Sequence, residues 1–157
     1  MKKLTFAVTL LIAAPSFAQE IKEYSDEELT QYATVIFWSE QEKGELTKKY
    51  NQWIKESEYF GVPRFLELKN ASGDSIRLSE IEATEPELSA FSTITNKYDS
   101  MAASFIDLFK SKINSDVGAG LFNSLKTDLV NVPELKERYQ KIHDRLQTMS
   151  GQLEEEN

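Results

Sequence analysis

The chain has 157 residues, no cysteine, and an acid excess that gives it a formal net charge of −8. The absence of cysteine excludes disulfide and thiolate chemistry. A polyanion repels nucleic acid and anionic lipid surfaces, so we expect neither as a partner. A predicted leader carries two lysines and no acidic residue, and its removal takes the net charge from −8 to −10.

The first 18 residues have the pattern of a secretory signal peptide. Two lysines precede an apolar run, Leu4–Ala14, and small residues occupy the −3 and −1 positions before a cleavage point after Ala18. The apolar run is shorter than the about 20 residues that a membrane-spanning helix needs. We therefore predict export to the periplasm, alternatively to the extracellular medium, of a mature chain 19–157 without a transmembrane segment.

The mature chain opens with a long amphipathic helix, predicted from Asp26 to about Glu58. Ser25 and Glu28 have the spacing of a capping box at its start. Apolar residues then follow at intervals of three and four, which is the period of a helix and not of a strand. These residues are Leu29, Tyr32, Ile36, Leu46, Tyr50, Trp53 and Phe60.

A shorter helix and a link follow the first long helix. Gly61 ends the long helix, and Pro63 starts a helix that reaches Asn70, because proline suits a first helical turn. Residues 71–74 form a turn cluster. Residues 75–83 are ambiguous, and we expect a short helix or an irregular link there.

The second half of the chain has the same order of elements. Thr84 and Glu87 make a second capping box, which opens a long helix over about 85–114. Its apolar residues, among them Met101, Phe105 and Leu108, keep a spacing of three and four without a polar break, and we expect them in the core.

The predicted end of the chain has two more helices. Gly118 and Gly120 end the second long helix, and a short helix follows over about 121–129. Asn131 is the expected cap of a closing helix at about 132–150, with Pro133 in its first turn.

The two halves match as an internal repeat. A constant offset of 59 places Ser25–Asn70 on Thr84–Leu129 without a gap, and it pairs Gly61 with Gly120 and Leu66 with Leu125. Each unit is a long helix followed by a short helix. The apolar stripes of the two long helices must be buried against each other. We therefore predict an all-α helical bundle, a single domain of residues 19–157 with units at about 25–70 and 84–129.

The residues around the last two helices resemble a known family. The run Gly118–Lys126, followed by Val132–Tyr139, is similar to the "Gly-Leu, aromatic-Asn, then Pro-Glu-Leu" ending of a bacterial secreted helical family, domain-of-unknown-function family 4168. Gly61–Phe65 and the two helix starts are similar to it as well. Phe122 stands where the family more often has an aromatic hydroxyl. The resemblance implies an exported all-α protein and no assigned activity or functional residue.

The sequence offers few residues that could support chemistry. His143 is the only histidine, and neither a nucleophile nor further metal ligands stand at a suitable spacing, so we expect a partly exposed surface residue. Glu40, Glu42, Glu45 and Asp99 lie near a polar break in the first stripe. Two of them facing each other would suit acid–base chemistry or a hard cation, but a solvated charged face is the simpler interpretation.

Aromatic residues are concentrated in the first unit. They can line a pocket for an apolar ligand or simply form the core. Trp38 falls outside the apolar stripe and, if it is exposed, is the best candidate for a partner contact. The set consists of Tyr32, Phe37, Trp38, Tyr50, Trp53, Tyr59, Phe60 and Phe65.

These observations favour a non-catalytic function. We predict no catalytic, cofactor-binding or metal-binding residues and no cofactor. The preferred interpretation is an exported protein-binding or structural module of the cell envelope, with an envelope or extracellular protein as its partner. The alternatives are a carrier or sensor of a small apolar ligand and an all-α enzyme without a cofactor.

Overall fold

A computed structural model describes the backbone of residues 22–155 and the side chains of residues 22–152. The predicted signal peptide, residues 1–18, lies outside this range. The described residues form helices joined by short connections, with no strand, which confirms the all-α fold. The helices are α1 (Asp26–Lys55), α2 (Val62–Ala71), α3 (Ser75–Glu80), α4 (Glu85–Asp116), α5 (Ala119–Asn131) and α6 (Pro133–Glu155).

Both predicted capping boxes are present at the starts of the long helices. The Ser25 hydroxyl accepts a hydrogen bond from the Glu28 backbone N–H, and the Glu28 carboxylate accepts one from the Ser25 N–H. Thr84 and Glu87 repeat this arrangement at α4. Each box satisfies two backbone donors that would otherwise lack partners at a helix start.

The long helix α1 is the centre of the bundle, with α4 on one side and α6 on the other. It runs antiparallel to α4, since Trp38 stacks on Phe105 whereas the later residue Tyr50 meets the earlier residue Tyr98. It runs parallel to α6, since Tyr32 contacts Tyr139 and the later residue Glu40 contacts the later residue His143. The backbones of the two outer helices, α4 and α6, do not approach each other within the described residues.

Two apolar clusters lie at opposite ends of the α1–α4 pair. At one end α5 and α6 cover the start of α1, with Leu29, Val35 and Leu125 completely buried. At the other end α2 covers the end of α1 and the start of α4, around Phe65 and Leu68. Burial of such side chains contributes roughly 1.5–3 kcal/mol each and is the main stabilising term.

The two units have the same helix order, but the ungapped register fails after the long helices. Gly118, not Gly120, precedes α5 as Gly61 precedes α2, and Gly118 lies 57 residues after Gly61. The same offset of 57 pairs the buried residues Phe65 with Phe122 and Leu68 with Leu125. The pairing of Leu66 with Leu125 is therefore wrong, since Leu66 is 51% exposed.

The gap arises because the two long helices end differently. Helix α1 stops at Lys55, three residues before the predicted end, and residues 56–61 connect it to α2. Helix α4 reaches Asp116, and only Val117 and Gly118 separate it from α5, with Gly118 at φ of 84°, a conformation that is sterically open to glycine. The longer α4 and its shorter connection together shift the short helix by two residues.

Two smaller predictions at the end of the chain are also corrected. Asn131 is the last residue of α5 and not the residue before α6, and its side chain donates to the Thr127 carbonyl. The Val132 carbonyl instead accepts the first α6 hydrogen bond, from the Lys136 N–H. Residues 75–83 contain a short helix, α3, as one of the two expectations had it. Within residues 22–155, no helix has both the length and the apolar character required to cross a bilayer.

Candidate functional site

His143 is buried, so the expected surface position is wrong. It is 7% exposed and lies between α6 and α1, where its Nε2 atom is 3.0 Å from the Glu40 carboxylate. The rings of Phe37 and Tyr139 flank the imidazole. Burial raises the pKa of Tyr139 to about 12, with smaller contributions from Tyr32 and Glu40. This set joins two helices and presents no nucleophile to the imidazole.

The four candidate carboxylates do not converge on one site. Glu40 turns toward α6 and His143, whereas Glu42 and Glu45 line a groove between α1 and α4. Lys48 donates a hydrogen bond to Glu45, and this bond and the lysine charge lower the Glu45 pKa. Asp99 is exposed on α4. No three histidine or acidic side chains come together to hold a metal ion in the described part of the chain.

The first-unit aromatic residues do not line a common pocket. Tyr32 packs on Phe122 in the cluster beneath α5 and α6. Phe60 and Phe65 are buried in the cluster beneath α2, at the far end of the bundle. Tyr59 is 55% exposed. These rings therefore stabilise two separate regions of the core.

Trp38 and Trp53 contact α4 instead of projecting into solvent. Each is partly buried on α1, and a lysine of α4 lies over its ring. The Lys97 Nζ atom is 3.9 Å from the Trp53 ring centre, and the Lys112 Nζ atom is 5.6 Å from that of Trp38. In the repeat alignment, with its offset of 59, Trp38 is equivalent to Lys97 and Trp53 is equivalent to Lys112. Exchanging the two units therefore converts one tryptophan–lysine contact into the other. The α1–α4 pair is thus arranged about an approximate internal twofold.

A groove of about 170 Å³ lies between the two tryptophans, and we call it the central groove. Residues of α1 and α4 form it, and each α1 residue has its α4 repeat equivalent in the lining. The groove therefore sits on the internal twofold. In the same order on each helix, its lining is Glu42, Glu45, Leu46 and Lys49 from α1, and Met101, Ser104, Phe105 and Leu108 from α4.

The two sides of the central groove differ in chemistry although their positions are equivalent. Glu42 and Lys49 on α1 correspond to Met101 and Leu108 on α4. Leu108 is 60% exposed, which corrects the expectation that this α4 stripe belongs to the core. Since a charged residue stands at the equivalent α1 position, an apolar side chain is not required there by the fold. An exposed apolar residue of this kind is more informative than a buried one.

A second concavity, the corner groove, lies at the end of α1 and has a volume of about 480 Å³. Glu56, Glu58 and Tyr59 of the α1–α2 connection form one side. The start of α4 forms the other side, with the nearly buried Ile94 at its edge. The α4 residues are Pro86, Ser89, Ala90, Thr93 and Ile94.

Sequence reasoning missed the central groove because it treated all residues at helical spacing as core. The signal was in the repeat alignment itself, where Glu42 pairs with Met101 and Lys49 with Leu108. A buried position seldom alternates between charged and apolar residues. Positions with such mixed pairs belong to the surface.

Comparison with known proteins gives no relatives. No family model matches this chain. A search of curated proteins finds no match, and a search of solved structures finds none. The geometry of the bundle is therefore the basis on which a function can be proposed.

Proposed function

We propose that this protein is an exported, non-catalytic protein-binding module, which holds an envelope protein in the central groove. The observation that supports the proposal most is the apolar side of that groove, the exposed Leu108 with the partly buried Met101, opposite the charged side formed by Glu42 and Lys49. Apolar anchors next to polar contacts are typical of binding hot spots.

The size of the central groove favours a side chain of a protein over a free ligand. Its volume of about 170 Å³ is below the roughly 300–1,000 Å³ of typical small-molecule pockets. The buried Leu46 and the half-buried Phe105 form its floor, and Phe105 is held in place by its stack on Trp38. A rigid apolar floor suits one anchoring side chain.

Site-specific photo-cross-linking tests this proposal. A photoreactive amino acid at Ser104, in the central groove, should give one discrete adduct in the native compartment, identified by mass spectrometry. The same group at Val130, which is 83% exposed on α5, should not give that adduct. The absence of an adduct from Ser104, or the same adducts from both positions, would refute the proposed site.

A variant copied from the other unit tests whether Leu108 is the anchor. Leu108→Lys introduces the residue type found at the equivalent position, Lys49, and should keep the helical content and shift Tm by no more than a few degrees. It should nevertheless reduce the Ser104 adduct at least tenfold. Val130→Lys is the matched control and should leave the adduct unchanged. An undiminished adduct in Leu108→Lys would contradict the anchor role.

Export is the second part of the proposal, and it is supported by the leader pattern of residues 1–18. The mature protein isolated from the periplasm should begin at Gln19, as measured by intact mass. Retention of the full-length mass in the cytoplasm would disprove export. Membership of family 4168 stays a prediction from the residues quoted above.

A further inference from the structure

A surface cavity of about 260 Å³ lies between the start of α1 and the middle of α6, and we call it the basic cavity. It shares no lining residue with the central groove. On α6 it has three cationic side chains at intervals of three and four, a spacing that places them on one face of the helix. Its lining is Asp26 and Thr30 of α1 with Arg138, Lys141, Ile142 and Arg145 of α6.

The protein itself neutralises only part of the positive charge in the basic cavity. The Arg138 Nη2 atom donates to the Asp26 carboxylate at 2.6 Å. Lys141 and Arg145 have no carboxylate partner among residues 22–152, whereas the other arginines of the chain each lie beside a carboxylate. Since Asp26 is the only acidic residue of the lining, the cavity carries an excess of two positive charges.

Helix stability does not favour the positions of the two unpaired cations. Lys141 and Arg145 are four residues apart, so their like charges face each other across one turn of α6 and destabilise it. The chain has 26 acidic residues, and yet none of them is placed to relieve this repulsion within the described part. A bound anion would relieve it.

Arg138 is held in place to donate to such an anion. Its Nη2 atom donates to the Tyr24 carbonyl at 2.9 Å as well as to the Asp26 carboxylate. Both hydrogen bonds use Nη2, so the Nε and Nη1 atoms make no hydrogen bond to residues 22–152. A guanidinium group that is fixed before binding loses little freedom when it takes up an oxyanion.

We propose that the basic cavity binds one phosphate group, carried by a small soluble molecule. A phosphate monoester has a charge of about −1.5 to −2 at pH 7, which matches the excess of two positive charges, whereas a carboxylate has a charge of only −1. Arginine binds phosphate oxygens through paired hydrogen bonds, and lysine binds them as a point charge. This site goes beyond the proposed function and does not depend on it.

The surroundings of the basic cavity favour a small molecule over a polyanion. Exposed acidic residues stand next in the sequence to three of its lining residues, namely Glu27, Glu137 and Asp144. Their charges repel further phosphate groups near the first one, so neither nucleic acid nor an anionic membrane surface is favoured. The volume of about 260 Å³ is also below the roughly 300–1,000 Å³ of pockets for drug-sized ligands.

Isothermal titration calorimetry of the mature protein tests the proposal at low ionic strength, where salt screens charges least. The probes are glycerol 3-phosphate, inorganic phosphate and glycerol, titrated separately. We expect saturable binding of phosphate at one site per chain and no binding of glycerol. Equal affinities for the two phosphates would identify free phosphate as a sufficient ligand, and tighter binding of glycerol 3-phosphate would identify a phosphomonoester. Both results support the site.

Substitutions on α6 locate the binding. Arg145→Gln and Lys141→Gln should each weaken it at least fivefold, because each removes one charge from the cavity. Lys136→Gln is the matched control, since Lys136 is an exposed cation of the same helix outside the cavity, and it should change the affinity less than twofold. Circular dichroism should show the same helical content in all three variants.

Two results would overturn the proposal. One is the absence of saturable binding of both phosphates, including the case in which the protein sediments only with vesicles that contain phosphatidic acid, because the ligand would then be a membrane surface. The other is an equal loss of affinity in Lys136→Gln and Arg145→Gln, because the attraction would then be general and not specific to the basic cavity.

Discussion

The flank of α1 that α6 covers differs from the equivalent flank of α4, which nothing covers within the described residues. On α1 this flank has the fully buried Ala33 and the ring of Phe37. The equivalent α4 residues are Ser92 and Asn96, which are exposed and hydrogen-bonded to each other. The two units therefore share a helix order but bury different amounts of their long helices.

The difference continues into the segment that follows each short helix. After α2 the chain forms only α3, of six residues, which packs on α2. After α5 it forms α6, of 23 residues, which packs along α1. A long third helix is stable only against an apolar flank, and only α1 offers one. Two changes from apolar to polar side chains on the flank, Ala33 to Ser92 and Phe37 to Asn96, thus accompany the difference of a whole helix between the two units.

Truncation of buried leucines tests the register between the two short helices, α2 and α5. Leu68→Ala and Leu125→Ala should each lower the free energy of unfolding by about 3 kcal/mol, because both side chains are completely buried. Leu66→Ala should cost less than about 1 kcal/mol, since half of that side chain is already in solvent. Urea unfolding followed by circular dichroism measures all three.

The outcome distinguishes the two possible offsets. Similar losses for Leu68→Ala and Leu125→Ala support the offset of 57 seen in the structure. Similar losses for Leu66→Ala and Leu125→Ala would instead support the ungapped offset of 59. Unchanged urea m-values would show that the variants differ in stability and not in the extent of unfolding.

A second prediction concerns the flank of α1. Phe37→Asn introduces the residue of the equivalent α4 position and removes the ring beside His143. We expect a loss of about 2 kcal/mol, because this half-buried ring lies at the contact with α6. Amide hydrogen exchange should accelerate in α6 by more than tenfold and in α4 much less.

The matched control is on the uncovered flank. Asn96→Ala loses only a hydrogen bond to Ser92 on an exposed surface, so its effect should stay within about 0.5 kcal/mol. If Phe37→Asn accelerates exchange in α4 as strongly as in α6, then the ring stabilises the whole bundle and not α6 in particular, and the flank does not explain α6.

The sequence was sufficient for those features that depend on local patterns. The capping boxes at Ser25 and Thr84, the helical period and the order of long and short helices follow from spacing alone, and the structure confirms them. Helix ends were less certain, because Gly118 can end one helix and begin the next in a single turn.

The burial of particular side chains could not be predicted, because it depends on which helices become neighbours. The sequence around His143 indicates a surface residue. The residue is buried because α6 lies parallel to α1, which places its ring beside Glu40. Leu108 looks like a core residue until α4 is left without a neighbour on that side. Both errors have the same cause. The spacing of apolar residues identifies the apolar face of a helix, but it does not identify the neighbouring helix that covers that face.

The two capping boxes differ in the contacts that their glutamates make beyond the cap. The Glu87 carboxylate accepts hydrogen bonds from the Arg64 side chain of α2 in addition to its own cap, and its side chain is only 14% exposed. The Arg64 hydrogen bond, followed by the hydrogen bond from the Thr84 backbone, lowers the pKa of Glu87 to about 2. Among residues 22–152, the Glu28 carboxylate makes hydrogen bonds only to Ser25, in its own cap. Glu87→Gln should therefore cost about 1 kcal/mol at pH 7, and Glu28→Gln should cost less.

The pH dependence follows from the direction of the Glu87 pKa shift. A carboxylate with a lowered pKa in the folded state contributes its full stability above its ordinary pKa, 4.5, and loses it as the pH falls to about 2. The gap in unfolding free energy between the wild type and Glu87→Gln should therefore be largest above pH 5 and nearly closed at pH 2. A gap of the same size at pH 7 and pH 2 would mean that the loss in Glu87→Gln comes from packing. In that case the ion pair of Arg64 with Glu87 would not be the contact that stabilises the packing of α2 on the start of α4.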